Sequence, residues 1–365
     1  MQVLKAFRGS LAVSAITLVL VGVLSGEISL VLTAFVLAIL EVTLSFDNAV
    51  VNAKYLKKMS PLWQKLFLTV GILIAVFGMR LVFPIVIVQL TAGLGFTEVV
   101  DLALNDSARY AEELEGAKSS IYSFGGVFLA MIFLDWIFEE KEIVWLSKLE
   151  RALERVGKLD LLSVVLAGTF ILVGSRAVPD DESSTVLFSG LVGLVTYLAV
   201  SGLDSLFEVE ADDDEADEAG GAVATGGAGA ATMAVGKAGF ATFLYLEVLD
   251  ASFSFDGVIG AFAITTDVLV IAAGLGIGAL FVRSMTVYLV RQGTLAQYRY
   301  LEHGAHWAIG ALAACLLLEL KYHIPEAVTG LLGLGFIAAA YTSSILANRK
   351  DRETEADEPR VGAGV

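Results

Sequence analysis

The chain has 365 residues, 56% of them hydrophobic and only 18% charged, with a mean hydropathy of +0.76. That composition is too apolar and too thinly charged for a soluble globular protein of this length. The formal net charge of −16 argues against binding to nucleic acid, and the single cysteine, Cys315, excludes an internal disulfide and argues against a thiolate metal centre.

Apolar runs reach the length of a membrane-spanning helix, about 20 residues. Alternating strand-like segments are lacking, which speaks against a β-barrel. The expected fold is all-α, a polytopic transmembrane helix bundle of about ten spans. Residues 11–24 form the first run, behind Lys5 and Arg8. A cleaved signal peptide has the same layout, but the loop charges favour a retained span. Further spans are expected at 28–52, 66–90, 120–138, 161–178, 185–206, 237–264, 267–290, 305–320 and 327–346. A long polar loop with Asp101, Asp106, Glu112, Glu113 and Glu115 precedes the fourth span. After it, Lys141, Lys148, Arg151, Arg155 and Lys158 mark a short amphipathic surface helix.

Eight acids between Glu208 and Glu218 open a stretch, 207–236, that turns Gly/Ala-rich and reads as a solvated linker. It divides an N-terminal half, 1–206, from a C-terminal half, 237–347; the polar tail, 348–365, is expected to be disordered. Lysines and arginines collect in the loops after spans two, four and eight and at both termini. The positive-inside rule then places both termini in the cytoplasm of a multi-pass plasma (inner) membrane protein.

The chemistry concentrates in two related stretches. Leu40-Glu41-Val42-Thr43-Leu44-Ser45-Phe46-Asp47-Asn48 lies inside the second span, and Glu247-Val248-Leu249-Asp250-Ala251-Ser252-Phe253-Ser254-Phe255-Asp256-Gly257 inside the seventh. Superposing Ser-Phe-Asp on Ser-Phe-Asp puts Asp47 on Asp256, Glu41 on Asp250 and Asn48 on Gly257. In each half the next span carries a glycine nine residues before an arginine, Gly71 with Arg80 and Gly274 with Arg283. Spans two and seven cross in opposite directions, the arrangement of inverted-topology repeats, whose sites lie near the bilayer midplane.

An ionised carboxylate at the centre of a spanning helix costs roughly 2.5–3.5 kcal/mol on insertion scales, so Glu41, Asp47, Glu247, Asp250 and Asp256 need partners. Divalent cations, protons, and Arg80 or Arg283 as counter-ion or gate are the available ones. The donors are all oxygen: the carboxylates, Asn48, and the hydroxyls of Thr43, Ser45, Ser252 and Ser254, a set that suits Mg²⁺, Ca²⁺ or Mn²⁺. On straight helices Glu41, Ser45 and Asn48 share a face while Asp47 falls about a third of a turn away. Either the helices break at Ser-Phe-Asp, or Asp47 serves a different partner from Glu41.

Other candidates are weaker. Asp135 and Glu139, four apart near a helix end, read as a vestibule or an ordinary interfacial end. His303 and His306 invite a metal, but polar residues are common at such an edge. With no nucleophile elbow, phosphate loop or dinucleotide fingerprint, an enzyme is not expected; an intramembrane enzyme would need both histidines and an acid at one metal.

On Glu41-x5-Asp47-Asn48 and Asp250-x5-Asp256, each followed by an arginine-bearing helix, the chain resembles the TerC family of integral membrane proteins, and more closely a branch of it known only as a domain of unknown function. The resemblance covers about residues 28–345. It implies a place among LysE-like transporters with inverted three-helix repeats, a role in Mn²⁺ export, and an ion held by these acids. Gly257 departs from the pattern by removing one ligand. The expected function is export of a divalent cation, Mn²⁺ first, through Glu41, Asp47, Asn48, Asp250 and Asp256 with Glu247 close by, with H⁺ antiport as the expected coupling. Its partners would be the lipid bilayer and that cation, with no permanently bound cofactor. Ca²⁺/H⁺ exchange and a non-transporting metal-binding scaffold in a stress response are the alternatives.

Overall fold

The computed structural model describes residues 2–159, 161–218 and 236–357. Among them every extended regular element is a helix. In order the helices are α1 (Gln2–Ser25), α2 (Ile28–Leu44), α3 (Phe46–Lys58), α4 (Pro61–Phe67), α5 (Val70–Leu73), a π-helical segment (Ile74–Val82), α6 (Phe83–Ala92), α7 (Phe96–Asn105), α8 (Ser107–Gly116), α9 (Lys118–Phe138), α10 (Ser147–Val156), α11 (Leu162–Ala177), α12 (Asp180–Glu218), α13 (Gly236–Ile264), α14 (Val268–Gln292), α15 (Thr294–Gln297), α16 (Leu301–Glu319) and α17 (Glu326–Asp357).

Seven of the described helical segments are long and apolar enough to cross a membrane, and eight if the bent pair α2–α3 counts as one span. The two remaining expected spans are also helices. At 16 residues α11 is shorter than a bilayer requires, and the 29-residue α13 is interrupted by Glu247, Asp250 and Asp256. A multi-pass membrane bundle accounts for the exposed apolar side chains as well: Ile16, Val19 and Val23 on α1, and Phe188 and Val195 on α12, face outward.

At the centre lies α9, whose Val127, Phe128 and Leu129 are fully buried. It packs on α12 and α16. Lipid is as apolar as leucine, so close backbone approach rather than hydrophobicity holds such helices together. Gly193 of α12 illustrates it: a Cβ there would stand 2.5 Å from the Phe124 carbonyl oxygen of α9. The Gly274-xxx-Gly278 pair brings α14 onto α2 in the same way, with Leu37 Cβ 2.6 Å from where a Cβ on Gly274 would be. Helix α1 joins this layer, its Ser10 hydroxyl donating to the Leu280 carbonyl of α14 at 3.1 Å.

The structure departs from expectation in three places. The long polar loop before α9 is two amphipathic helices, α7 and α8. Its acids alternate with Val99, Leu102, Tyr110 and Leu114, which are buried at helical spacing. Of the expected linker, 207–218 continues α12 as helix, and 219–235 lies outside the described residues. Of the expected disordered tail, residues up to Asp357 extend α17, and 358–365 lie outside the described residues. The surface helix expected after the fourth span is α10.

Candidate functional site

The site begins at Ser45. There the helix stops after α2 and restarts as α3 at an angle of 55°. Ser45 has φ −99° and ψ 20°, outside helical values, while its N–H still donates to the Glu41 carbonyl at 2.9 Å. The local cause is composition. Serine, aspartate and asparagine within four residues, Ser45 to Asn48, offer side-chain hydrogen bonds that compete with the helical ladder. Asp47 takes one of them: its Oδ1 accepts from the Asn48 backbone N–H at 2.9 Å in the first turn of α3, where a negative charge is favoured. The Ser45 hydroxyl donates to Glu41 Oε1 at 3.2 Å.

The second copy is not broken. Helix α13 runs from Gly236 through Ile264, with Ser252 and Ser254 donating back to the carbonyls of Val248 and Asp250 at 3.0 and 2.8 Å. Thr43 likewise donates to Ile39, on an exposed face. Of the four hydroxyls expected as ligands, only that of Ser45 is bonded to a carboxylate.

Each arginine holds the acids of its own half. Arg80, in the π-helical segment, pairs with Glu41 and donates to the Ala75 carbonyl at 2.5 Å. That bond is made by the side chain, which folds back along its own segment to a carbonyl five residues earlier. Arg283 of α14 donates to Glu247 at 3.2 Å and to Asp250 at 3.3 Å, and its guanidinium lies 3.7 Å from the ring centroid of Phe67. All five side chains are buried. Removing one partner of such a pair would strand a buried charge, at about 3–5 kcal/mol.

Contacts between the halves follow the same exchange. Asn48 Nδ2 donates to Asp250 Oδ1 at 2.6 Å. Its counterpart, Gly257, faces the counterpart of Asp250: a Cβ on Gly257 would lie 2.8 Å from Glu41 Oε2. The longer acid is matched with glycine and the shorter acid with asparagine, so the two contacts fill similar space. Farther along, Tyr55 of α3 meets Tyr245 of α13, hydroxyl to hydroxyl at 3.1 Å. Because the later residue on α3 pairs with the earlier one on α13, these helices are antiparallel.

Asp47 stands apart. It lies against Gly333 of α17, where a Cβ would be 3.1 Å from Oδ2, and no arginine is paired with it among the described residues. Together with Glu41, Ser45 and Gly257 it lines a cavity of about 30 Å³, closed on the other side by Leu312, Thr329 and Gly330. That is room for one water or one small ion. Asp256 lies on α13, but its side chain is outside the described residues. Among the described residues no three His, Cys, Asp or Glu side chains converge on a point. The oxygen-bearing side chains that line it are those of Glu41, Ser45, Asp47 and Thr329.

The α16 and α17 wall was not foreseen. Thr329, Gly330 and Gly333 form a stretch of small residues that repeat matching cannot find, since it has no counterpart in the other motif. A Cβ on Gly330 would collide with Leu44, which ties α17 to the end of α2.

The remaining candidates fall elsewhere. Asp135 accepts from the Tyr197 hydroxyl at 2.6 Å, and with Glu139 it borders an open cleft of about 440 Å³ between α9 and the start of α11. His303 Nε2 donates to the Ile143 carbonyl and His306 Nδ1 to the Glu302 carbonyl, both at 2.8 Å. His306 also stacks on Trp136, with centroids 4.5 Å apart. Neither histidine lines the Asp47 cavity. Buried Glu150 accepts from the Trp145 N–H at 2.9 Å and the Trp307 indole at 3.2 Å, which fastens α10 to the bundle.

Comparisons with curated proteins and with solved structures returned no match. Residues 46–351, from the restart of the broken helix to the polar end of α17, match the model of a family described as protein of unknown function (DUF475), and the chain belongs to that family.

Proposed function

We propose that this protein moves a divalent cation, Mn²⁺ first, across the membrane through the cavity at the Ser45 break. The carrying observation is that cavity: Asp47, a carboxylate with no arginine paired to it among the described residues, faces a space of ionic size inside an apolar bundle. Hard oxygen donors suit Mn²⁺, Mg²⁺ or Ca²⁺ and not the thiophilic metals. A small ligand set also suits a cargo, which must bind well enough to enter and weakly enough to leave.

The two arginines complete the picture. Arg80 and Arg283 supply positive charge to Glu41, Glu247 and Asp250 while no cargo does, and a bound cation or a proton would redistribute those pairings. This is the electrostatic basis for H⁺ antiport. The antiparallel motif helices and the exchanged contacts support inverted repeats, and the likeness to TerC and LysE-like transporters points the same way. Lysine and arginine in the loops after α3, α9 and α14 support an inner-membrane orientation with both termini cytoplasmic.

Purified protein in liposomes tests the reading. Wild type should carry Mn²⁺, and Asp47→Asn should lower the flux at least about tenfold, the order expected from losing a charged ligand. Absence of Mn²⁺ flux in wild type refutes Mn²⁺ transport; Ca²⁺ flux in its place would indicate exchange of that ion. The arginine pairings favour one second reading, a non-transporting scaffold whose acids fix the bundle. In that case no cation moves.

A further inference from the structure

Helix α3 carries more polarity than its ion pairs use. Asn48, Asn52 and Tyr55 stand at i, i+4 and i+7, on one face, between the buried apolar residues Val50, Val51, Ala53 and Leu56. The two ends of this stripe are bonded across to α13, Asn48 to Asp250 and Tyr55 to Tyr245. Asn52 lies between them. It is completely buried, and neither its Oδ1 nor its Nδ2 has a hydrogen-bond partner among the described residues; Asn48 Oδ1 is in the same condition.

A buried, unpaired amide is costly, and an apolar side chain of the same size would serve packing better. Two such amide oxygens one helical turn apart, the first on an asparagine bonded to Asp250, therefore point to a ligand. Residues four apart on a helix face are neighbours, which sets these two amides one above the other along α3. Amide oxygens, hydroxyls and water are ordinary ligands of hard divalent cations, and without a full negative charge they bind them weakly.

We propose that Asn48 and Asn52 form a second, weaker cation station, between the acidic centre and the Tyr55–Tyr245 pair. It deepens, and rests on, the transport reading above. The cation would pass from the Asp47 cavity to these neutral oxygens on its way toward the end of the bundle where Lys54 pairs with Glu302 at 2.6 Å.

The experiment counts bound Mn²⁺ on purified full-length protein by the electron paramagnetic resonance of the free ion, alongside liposome flux and thermal unfolding. Wild type should bind two ions of unequal affinity. Asn52→Leu should keep the tighter ion, lose the weaker one, carry Mn²⁺ at least about tenfold more slowly, and unfold no earlier than wild type without metal. Asn52→Asp should hold the weaker ion at least about tenfold more tightly, since it adds a charge at that point. A wild-type stoichiometry of one, lost in Asp47→Asn and unchanged in Asn52→Leu, overturns the station and leaves the transport reading standing. No Mn²⁺ bound by wild type overturns both. Should Asn52→Leu fail to fold, Asn52→Asp decides alone, and unchanged affinity in that variant rejects the station.

Discussion

At Glu41 and Asp250 one methylene group matters. Glu41 reaches Arg80 and fills space over Gly257, while the shorter Asp250 reaches Arg283 and leaves space for Asn48. The two contacts are alternative solutions to one packing problem, which makes them exchangeable. Gly257→Asn alone should drive a side chain into Glu41, and Glu41→Asp alone should pull the carboxylate away from Arg80. Each should destabilise the protein by about 1–3 kcal/mol. Glu41→Asp/Gly257→Asn together convert the first contact to the chemistry of the second, and should recover at least about 1 kcal/mol relative to the sum. Thermal unfolding of the four proteins in detergent measures the coupling; strict additivity would show the match to be accidental. The residues of this exchange were legible as an alignment of two short motifs. Their partners were not, because the sequence shows a glycine nine residues before each arginine but not which acid the arginine meets.

Among the elements, the π-helical segment sets the aim of Arg80. An α-helical turn advances 100° per residue, so removing one residue here rotates everything before it relative to Arg80. Deleting the exposed Phe77 should therefore separate Arg80 from either Ala75 or Glu41. A stranded buried carboxylate should then cost about 3–5 kcal/mol, seen as a lower melting temperature in detergent. An unchanged melting temperature would show that the wide turn does not position the arginine. Element positions were the most legible feature of the sequence, because uninterrupted apolar runs need no tertiary knowledge. Helices α7 and α8 are not legible in the sequence because Glu112, Glu113 and Glu115 give the stretch the charge of a loop, and the buried Tyr110 and Leu114 are too few to form an apolar run. The break at Ser45 is partly legible, since on a straight helix Asp47 points off the face of Glu41. The same argument applied to α13 predicts a break that the structure does not have. Local composition permits a kink at Ser254 without requiring one, and the serines there bond back to their own helix instead.

For the whole molecule, the wall formed by α16 and α17 lay beyond sequence reasoning because it belongs to neither motif. Thr329 and Gly330 reach the cavity only through the packing of the bundle. The difference between the two motif helices carries a consequence for motion. One copy is broken with a 55° bend and the other is a continuous helix, although their sequences are related. If the protein is the carrier proposed above, the broken and continuous shapes are expected to be two settings of one hinge, each half displaying the setting the other would take. The opposite-facing form would then have α2 and α3 joined as one rod and α13 folded near Ser254. Spin labels on exposed positions flanking each hinge, Phe35 with Lys57 in one half and Phe240 with Ile264 in the other, should report opposite changes of distance during turnover with Mn²⁺. Two distances that lengthen together, or that never change, would mean that the bend at Ser45 is permanent and the protein works, if it carries ions, without trading shapes between its halves.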